Sequence, residues 1–154
     1  MDLADILSAD DVLPAVQAGS KRQVLQVLAA HAAERTGMAE RTILDALMQR
    51  ERLGSTALGG GIAIPHGRFP ALKRVMGVFA RLAAPVDFDA LDHRPVDIVF
   101  MLLAPENAGA DHLKALARVS RVLRDRALLE KLRATREPHT LYALLTDERA
   151  SRAA

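Results

Sequence analysis

Val96-Asp97-Ile98-Val99-Phe100-Met101-Leu102-Leu103 is apolar in both of its alternating sets: Val96, Ile98, Phe100 and Leu102 on one side, Val99, Met101 and Leu103 on the other. A strand exposes successive side chains to opposite faces, so one that is apolar on both needs cover on both. The segment is therefore expected to run centrally in a sheet with helices on either side. Val75 to Leu82 reads as a second strand rich in branched residues, and Ile62-Ala63-Ile64 as a short third one that Pro65 stops.

Outward from this centre the period changes from two to that of a helix. Upstream, Ser20-Lys21-Arg22-Gln23 has the form of a capping box. The serine accepts from a free backbone N–H and the glutamine reaches back. A helix then carries Val24, Leu25, Val27 and Leu28 and ends at Gly37. Ile43, Leu44, Leu47 and Met48 make the apolar stripe of another helix. Downstream of Asn107-Ala108-Gly109, Leu113, Leu116 and Leu123 line one helix. Leu128, Leu129 and Leu132 line the next, and Leu141, Leu144 and Leu145 a last. The expected fold class is α/β: a small mixed, partly parallel central sheet flanked by helices on both faces. Residues 1–154 form a single domain on this reading, with a core over about 4–147 and a short tail at 148–154.

Composition narrows the function. The formal charge of +2 gives little pull towards nucleic acid, and 3% aromatics leave little to stack bases on. Arg118, Arg121, Arg124 and Arg126 read as a solvated helix face. Without cysteine, disulfides, thiolate metal sites and cysteine nucleophiles are excluded. The acidic start MDLADILSADD does not resemble a signal peptide, and the apolar run IVFMLLA is too short to span a bilayer. A cytoplasmic location is expected.

Five of the nine glycines fall between positions 54 and 67, in Arg50-Glu51-Arg52-Leu53-Gly54-Ser55-Thr56-Ala57-Leu58-Gly59-Gly60-Gly61-Ile62-Ala63-Ile64-Pro65-His66-Gly67-Arg68. Three successive glycines cost chain entropy, and one use for them is close approach of backbone N–H groups to an anion. The stretch is no P-loop, since Ile62 and Ala63 stand where Lys and Ser or Thr would be needed. A G-x-S-x-G elbow and an HExxH zinc signature are both missing, so neither a serine hydrolase nor a metal hydrolase is expected. What remains is His66, held between Pro65 and Gly67.

This segment resembles the phosphorylation-site signature of the enzyme IIA family of the phosphoenolpyruvate-dependent phosphotransferase system, fructose/mannitol type. Phe88-Asp89-Ala90-Leu91-Asp92 with the stretch from Pro95 to Pro105 looks most like its nitrogen-regulatory (PtsN-type) branch. His112-Leu113 with Leu116-Ala117 is similar to the family's second histidine motif. The resemblance implies that His66 is the phospho-acceptor, that His112 orients the phosphoryl group and that Arg52 faces it. It also implies an HPr-like phosphocarrier as donor and regulatory target proteins as readers, with no cofactor, no metal, no nucleic acid and no membrane insertion.

Residue chemistry suits this role. Neutral imidazole attacks near pH 7 and still leaves easily. Charge spread over the phosphoryl oxygens calls for fixed donors. Arg52 offers a rigid fork; Ser55 or Thr56 could give a hydroxyl, and Gly59, Gly60 and Gly61 their amides. His112, after Asp111 near a helix start, sits where the dipole favours neutral imidazole. Ala57 stands where the family usually has glycine, and is expected to be strained if the position needs positive φ. His31 reads as a satisfied boundary residue, His93 as an exposed loop residue, and His139 as part of a first helical turn. Three other readings stay open: a transport component passing phosphate to a IIB partner, a binding module that is never phosphorylated, and a small-anion binder built on the glycine loop.

Overall fold

The computed structural model describes residues 1–147. The expected tail at 148–154 lies outside the described residues. Six strands, β1 (Leu7–Val16), β2 (Ala57–Gly59), β3 (Ile62–Ala63), β4 (His66–Phe69), β5 (Met76–Val86) and β6 (Val96–Pro105), form one mixed sheet. Its order is β1-β5-β6-β3-β2, with β4 also paired to β6. β5 runs antiparallel to β6, whereas β3 and β4 lie end to end, both parallel, along the other edge of β6.

The central strand is covered as its two apolar faces require. Val99, Met101 and Leu103 enter the core beneath α1 (Lys21–Thr36) and α2 (Glu40–Arg52). Ile98, Phe100 and Leu102 enter a second core beneath α3 (Ala110–Leu123), α4 (Arg126–Arg133) and α5 (Pro138–Thr146). All six side chains are fully buried.

Ser20 caps α1 by accepting from the Gln23 N–H, and Gly37 closes it at φ 77°. Gln23 differs from the expected capping box: its Oε1 accepts from the Gly19 N–H, one residue beyond Ser20. On α3, Leu113 is 64% exposed; the face turned to the core is His112, Ala115, Val119, Val122 and Leu123. The helix begins two residues before His112, and its buried stripe includes that histidine where leucine was expected. The sequence reading assigned no strand at β1, whose Asp10, Asp11 and Pro14 are all depleted in strands. β1 is an edge strand with two register irregularities, a setting that tolerates proline.

One glycine of β5 is fixed by a neighbour. A Cβ on Gly77 would stand 2.8 Å from Cζ of Phe100 and closer still to its Cε1. Phe100 is fully buried and cannot swing away. Gly77→Ala is expected to destabilise the fold by about 1–3 kcal/mol through overpacking. Denaturant titration of Gly77→Ala, Phe100→Leu and the double variant checks this: the smaller side chain should recover part of the loss, so the two changes should not add.

Candidate phosphoryl-acceptor site

Three elements converge on His66. It opens β4, opposite Leu102 of β6. Its Nδ1 lies 2.9 Å from the Ile64 carbonyl, which can only accept, so the ring proton resides on Nδ1. The free lone pair is on Nε2, which accepts from Nε of Arg50 at 3.2 Å. The Arg50 guanidinium is held in turn by the Gly54 carbonyl, 2.8 Å from Nη1.

From the other side comes His112, the third residue of α3, with only 4% of its surface exposed. The two imidazoles meet edge to face, centroids 5.5 Å apart. Arg68 is two residues past His66 on β4 and so on the same side of the strand; its Nε donates to Nδ1 of His112 at 3.0 Å. The proton of His112 therefore resides on Nε2, which is buried and has no partner. A buried donor without an acceptor costs about 1–3 kcal/mol, which a ligand oxygen would recover.

Burial is the main force holding both histidines below their ordinary pKa of 6.5. Arg50 and Arg68 lower that of His66 further, against the Ile64 carbonyl and Glu51, which raise it. His66 and Arg68 add to the effect on His112. Both rings are neutral at pH 7, and Nε2 of His66 is a nucleophile there. In the pH range between the depressed folded values and 6.5, the unfolded chain binds protons that the folded one does not. The contribution of these rings is thus complete above 6.5 and is lost as pH falls through that range. Denaturant midpoints followed from pH about 7.5 down to about 5 should fall on this account, less steeply in His112→Gln.

The expected cation is displaced by two positions. Arg52 is exposed at the end of α2, and Arg50 occupies the place beside His66. Continuing the buried stripe Ile43 and Leu47 by one helical step leads to Arg50, which a helix-period reading could have found. Glu51, next on that face, is buried. Its Oε1 accepts from Lys21 Nζ at 2.9 Å and from the Thr56 N–H at 3.2 Å, fixing the turn that follows α2. Arg50 and Arg68 have no carboxylate partner among the described residues, so the site is poised for an anion.

Other assigned roles change too. Ser55 spends its hydroxyl on the Phe88 carbonyl and accepts from the Ala57 N–H, so it has no proton left for a phosphoryl group. Thr56 lines the cleft beside His66, but its hydroxyl is buried and unpartnered. Gly59, Gly60 and Gly61, with φ of 88°, 69° and 84°, form the tip of the β2–β3 hairpin. The Gly60 N–H goes to Asp92 and its carbonyl to Arg133, while Gly61 is opposite the start of β6. This tip is at the end of β6 remote from Leu102 and His66, and it is no cradle for their anion. Positive φ there explains the glycines. Ala57 is not among the positive-φ residues and bears no such strain.

The cleft next to His66 has a volume of about 340 Å³ and is walled by Ala57, Leu58, Ile64, Leu116 and Ala117. A larger hollow of about 710 Å³ beside Leu7 and Arg74 contains neither histidine. Of the remaining histidines, His31 bonds Asp11 at 2.8 Å at the core boundary, and His93 is exposed. Among the described residues no group of three or more His, Asp or Glu could hold a metal ion.

Residues 5–148 match the family described as phosphoenolpyruvate-dependent sugar phosphotransferase system, EIIA 2. The chain belongs to this EIIA family. Among EIIA relatives, a "Nitrogen regulatory protein" of Bradyrhizobium diazoefficiens is 54% identical over 145 residues, covering 94% of this chain and 95% of the relative. The protein of the same name from Escherichia coli is 35% identical, covering 96% and 91%. Nitrogen regulatory protein IIA-Ntr of Neisseria meningitidis has the same fold, with a TM-score of 0.88 at 33% identity over 94% of this chain and 99% of that one. The fold is also that of mannitol IIA from Escherichia coli, TM-score 0.75 at 23% identity. The chain is thus a component of the phosphotransferase type, similar in sequence to relatives named nitrogen regulatory protein.

Proposed function

We propose that His66 accepts a phosphoryl group on Nε2 from a phosphohistidine of an HPr-like carrier, and that the two states of the site act as a regulatory signal. The observation that carries this is the tautomer: the Ile64 carbonyl holds the proton on Nδ1, leaving Nε2 as the free nucleophile between Arg50 and His112. In the transfer, the donor's N–P bond breaks and a P–Nε2 bond forms, while the donor imidazole leaves with its electron pair. His66 keeps its Nδ1 proton, and the positive ring that results is stabilised by the Ile64 carbonyl. The Arg50 N–H that now caps Nε2 turns onto a phosphoryl oxygen, and the orphan Nε2–H of His112 takes another. No metal is needed, because the donor is itself an activated phosphohistidine.

Phosphorylation adds roughly two negative charges to a surface that now carries two unpaired guanidiniums, so a target protein meets opposite potentials in the two states. The names of the relatives support a nitrogen-related regulatory role; on this proposal the chain acts in the cytoplasm and target proteins read its state. A second reading, relay of phosphate to a sugar-specific IIB protein, is favoured by one similarity. A fructose-specific EIIA component of Haloferax volcanii is 39% identical over 68% of this chain.

Intact mass after incubation with phosphoenolpyruvate, enzyme I and the HPr-like carrier tests the proposal. One acid-labile phosphate per chain, located on Nε2 of His66 by heteronuclear NMR, is expected. A carrier shown to be charged that leaves this chain unmodified would sink it. Adding IIB proteins to the phosphorylated chain then separates the readings, since loss of phosphate to one of them would mark a transport relay.

A further inference from the structure

Arg68 has no part in binding His66 directly, yet among the described residues it makes the one hydrogen bond to the His112 ring. The contact runs from Nε, the fourth side-chain atom of Arg68, to Nδ1 of His112 at 3.0 Å. A guanidinium can only donate, so Nδ1 must be the acceptor and the proton must go to Nε2. At Nε2 the structure has a buried N–H with no acceptor. The opposite tautomer would set N–H against N–H at Arg68 and leave a lone pair, which repels an anion, at Nε2.

We infer that Arg68 is a positioning residue: it holds His112 in the Nε2–H tautomer, so that the second imidazole offers the group on His66 a proton rather than a lone pair. This rests on the phosphocarrier reading for its consequence, although the tautomer itself is a property of the unmodified protein. Arg68 thereby does for His112 what the Ile64 carbonyl does for His66, with the sense reversed. An acceptor fixes the proton near one ring's backbone side, and a donor drives it to the far nitrogen of the other. Catalysis needs this opposition, because one ring must supply a lone pair and its neighbour a hydrogen.

Three substitutions separate donor from charge. Glutamine places an amide N–H at the fourth side-chain atom, where Arg68 has Nε, but carries no charge. Methionine has similar length and no donor. Lysine keeps the charge and moves its donor one bond further out. Long-range ¹H–¹⁵N NMR of the unphosphorylated, histidine-labelled protein reads both tautomers. The wild type and Arg68→Gln should show His112 protonated on Nε2. Arg68→Met should shift it to a mixture or to Nδ1–H, with Arg68→Lys between. The His66 ring, fixed by Ile64, should stay unchanged in all four and so reports that the site is intact. Phosphoryl uptake should slow on the order of tenfold in Arg68→Met and recover in Arg68→Gln. A wild-type His112 protonated on Nδ1, or an unaltered tautomer in Arg68→Met, would each overturn the inference. A wild type that takes no phosphate while its tautomers follow the pattern would instead count against the phosphocarrier reading alone.

Discussion

His66→Ala is expected to take up no phosphate at all from a charged donor, in a protein that stays folded. His66 is half-buried at the first position of β4, and its two hydrogen bonds are to the Ile64 carbonyl and to Arg50. Losing them costs about 1–3 kcal/mol in total, less than a domain of this size can withstand. The core side chains around it, Ile64 between β3 and β4 and Leu102 of β6, are buried independently of the imidazole. The other histidines cannot substitute. His112 is almost wholly buried where His66 is half-exposed, and its lone pair on Nδ1 is held by Arg68, while His31 is tied to Asp11 away from the cleft. Intact mass together with circular dichroism checks both halves of the statement. Phosphate retained on the alanine variant would mean that another residue is the acceptor.

The second large effect distinguishes two arginines two residues apart. Arg50→Ala should slow phosphoryl uptake by about 10²–10³-fold, the usual loss when one preorganised donor to a developing charge is removed. Arg52→Ala should change it little, because that side chain is exposed and Arg50 occupies the place beside Nε2. Arg50→Lys should recover only part of the rate, since an ammonium cannot hold the Gly54 carbonyl with one nitrogen and serve His66 with another in the same geometry. Single-turnover transfer from the charged carrier measures all three. Equal loss in the two alanine variants would show that net charge, rather than the fixed guanidinium, drives the step.

The contrast between these arginines shows what a sequence holds and what it leaves out. The two-faced alternation of Val96 to Leu103 made the sheet and its two helical layers legible, because burial on both sides leaves a pattern in residue type. His66 and His112 stand out in their motifs, and the structure brings the two rings together. The choice of cation was not, since Arg50 and Arg52 are alike in chemistry and differ only in the direction that the end of α2 gives them. The glycine run was legible as a place needing unusual backbone, but the Gly60 amide turns to Asp92 and the Gly60 and Gly61 carbonyls to Arg133 and the start of β6. Those partners lie more than thirty residues away along the chain, and no local pattern shows them. β1 was hidden for a related reason. An edge strand with Pro14 and two aspartates carries a weak signal, and its place is set by β5.

The candidate acceptor site sits on a seam. Arg50 comes from a helix whose apolar stripe belongs to the core on one side of the sheet; His112 comes from a helix rooted in the core on the other; His66 stands on the sheet between them. Neither half of the molecule contains the whole set. A chain in which only one layer had docked would own a histidine but lack either its guanidinium or its second ring. On the proposed function, the capacity to be charged would be a certificate of completed assembly, and a partner reading the phosphate would at the same time be reading that the whole molecule has been built.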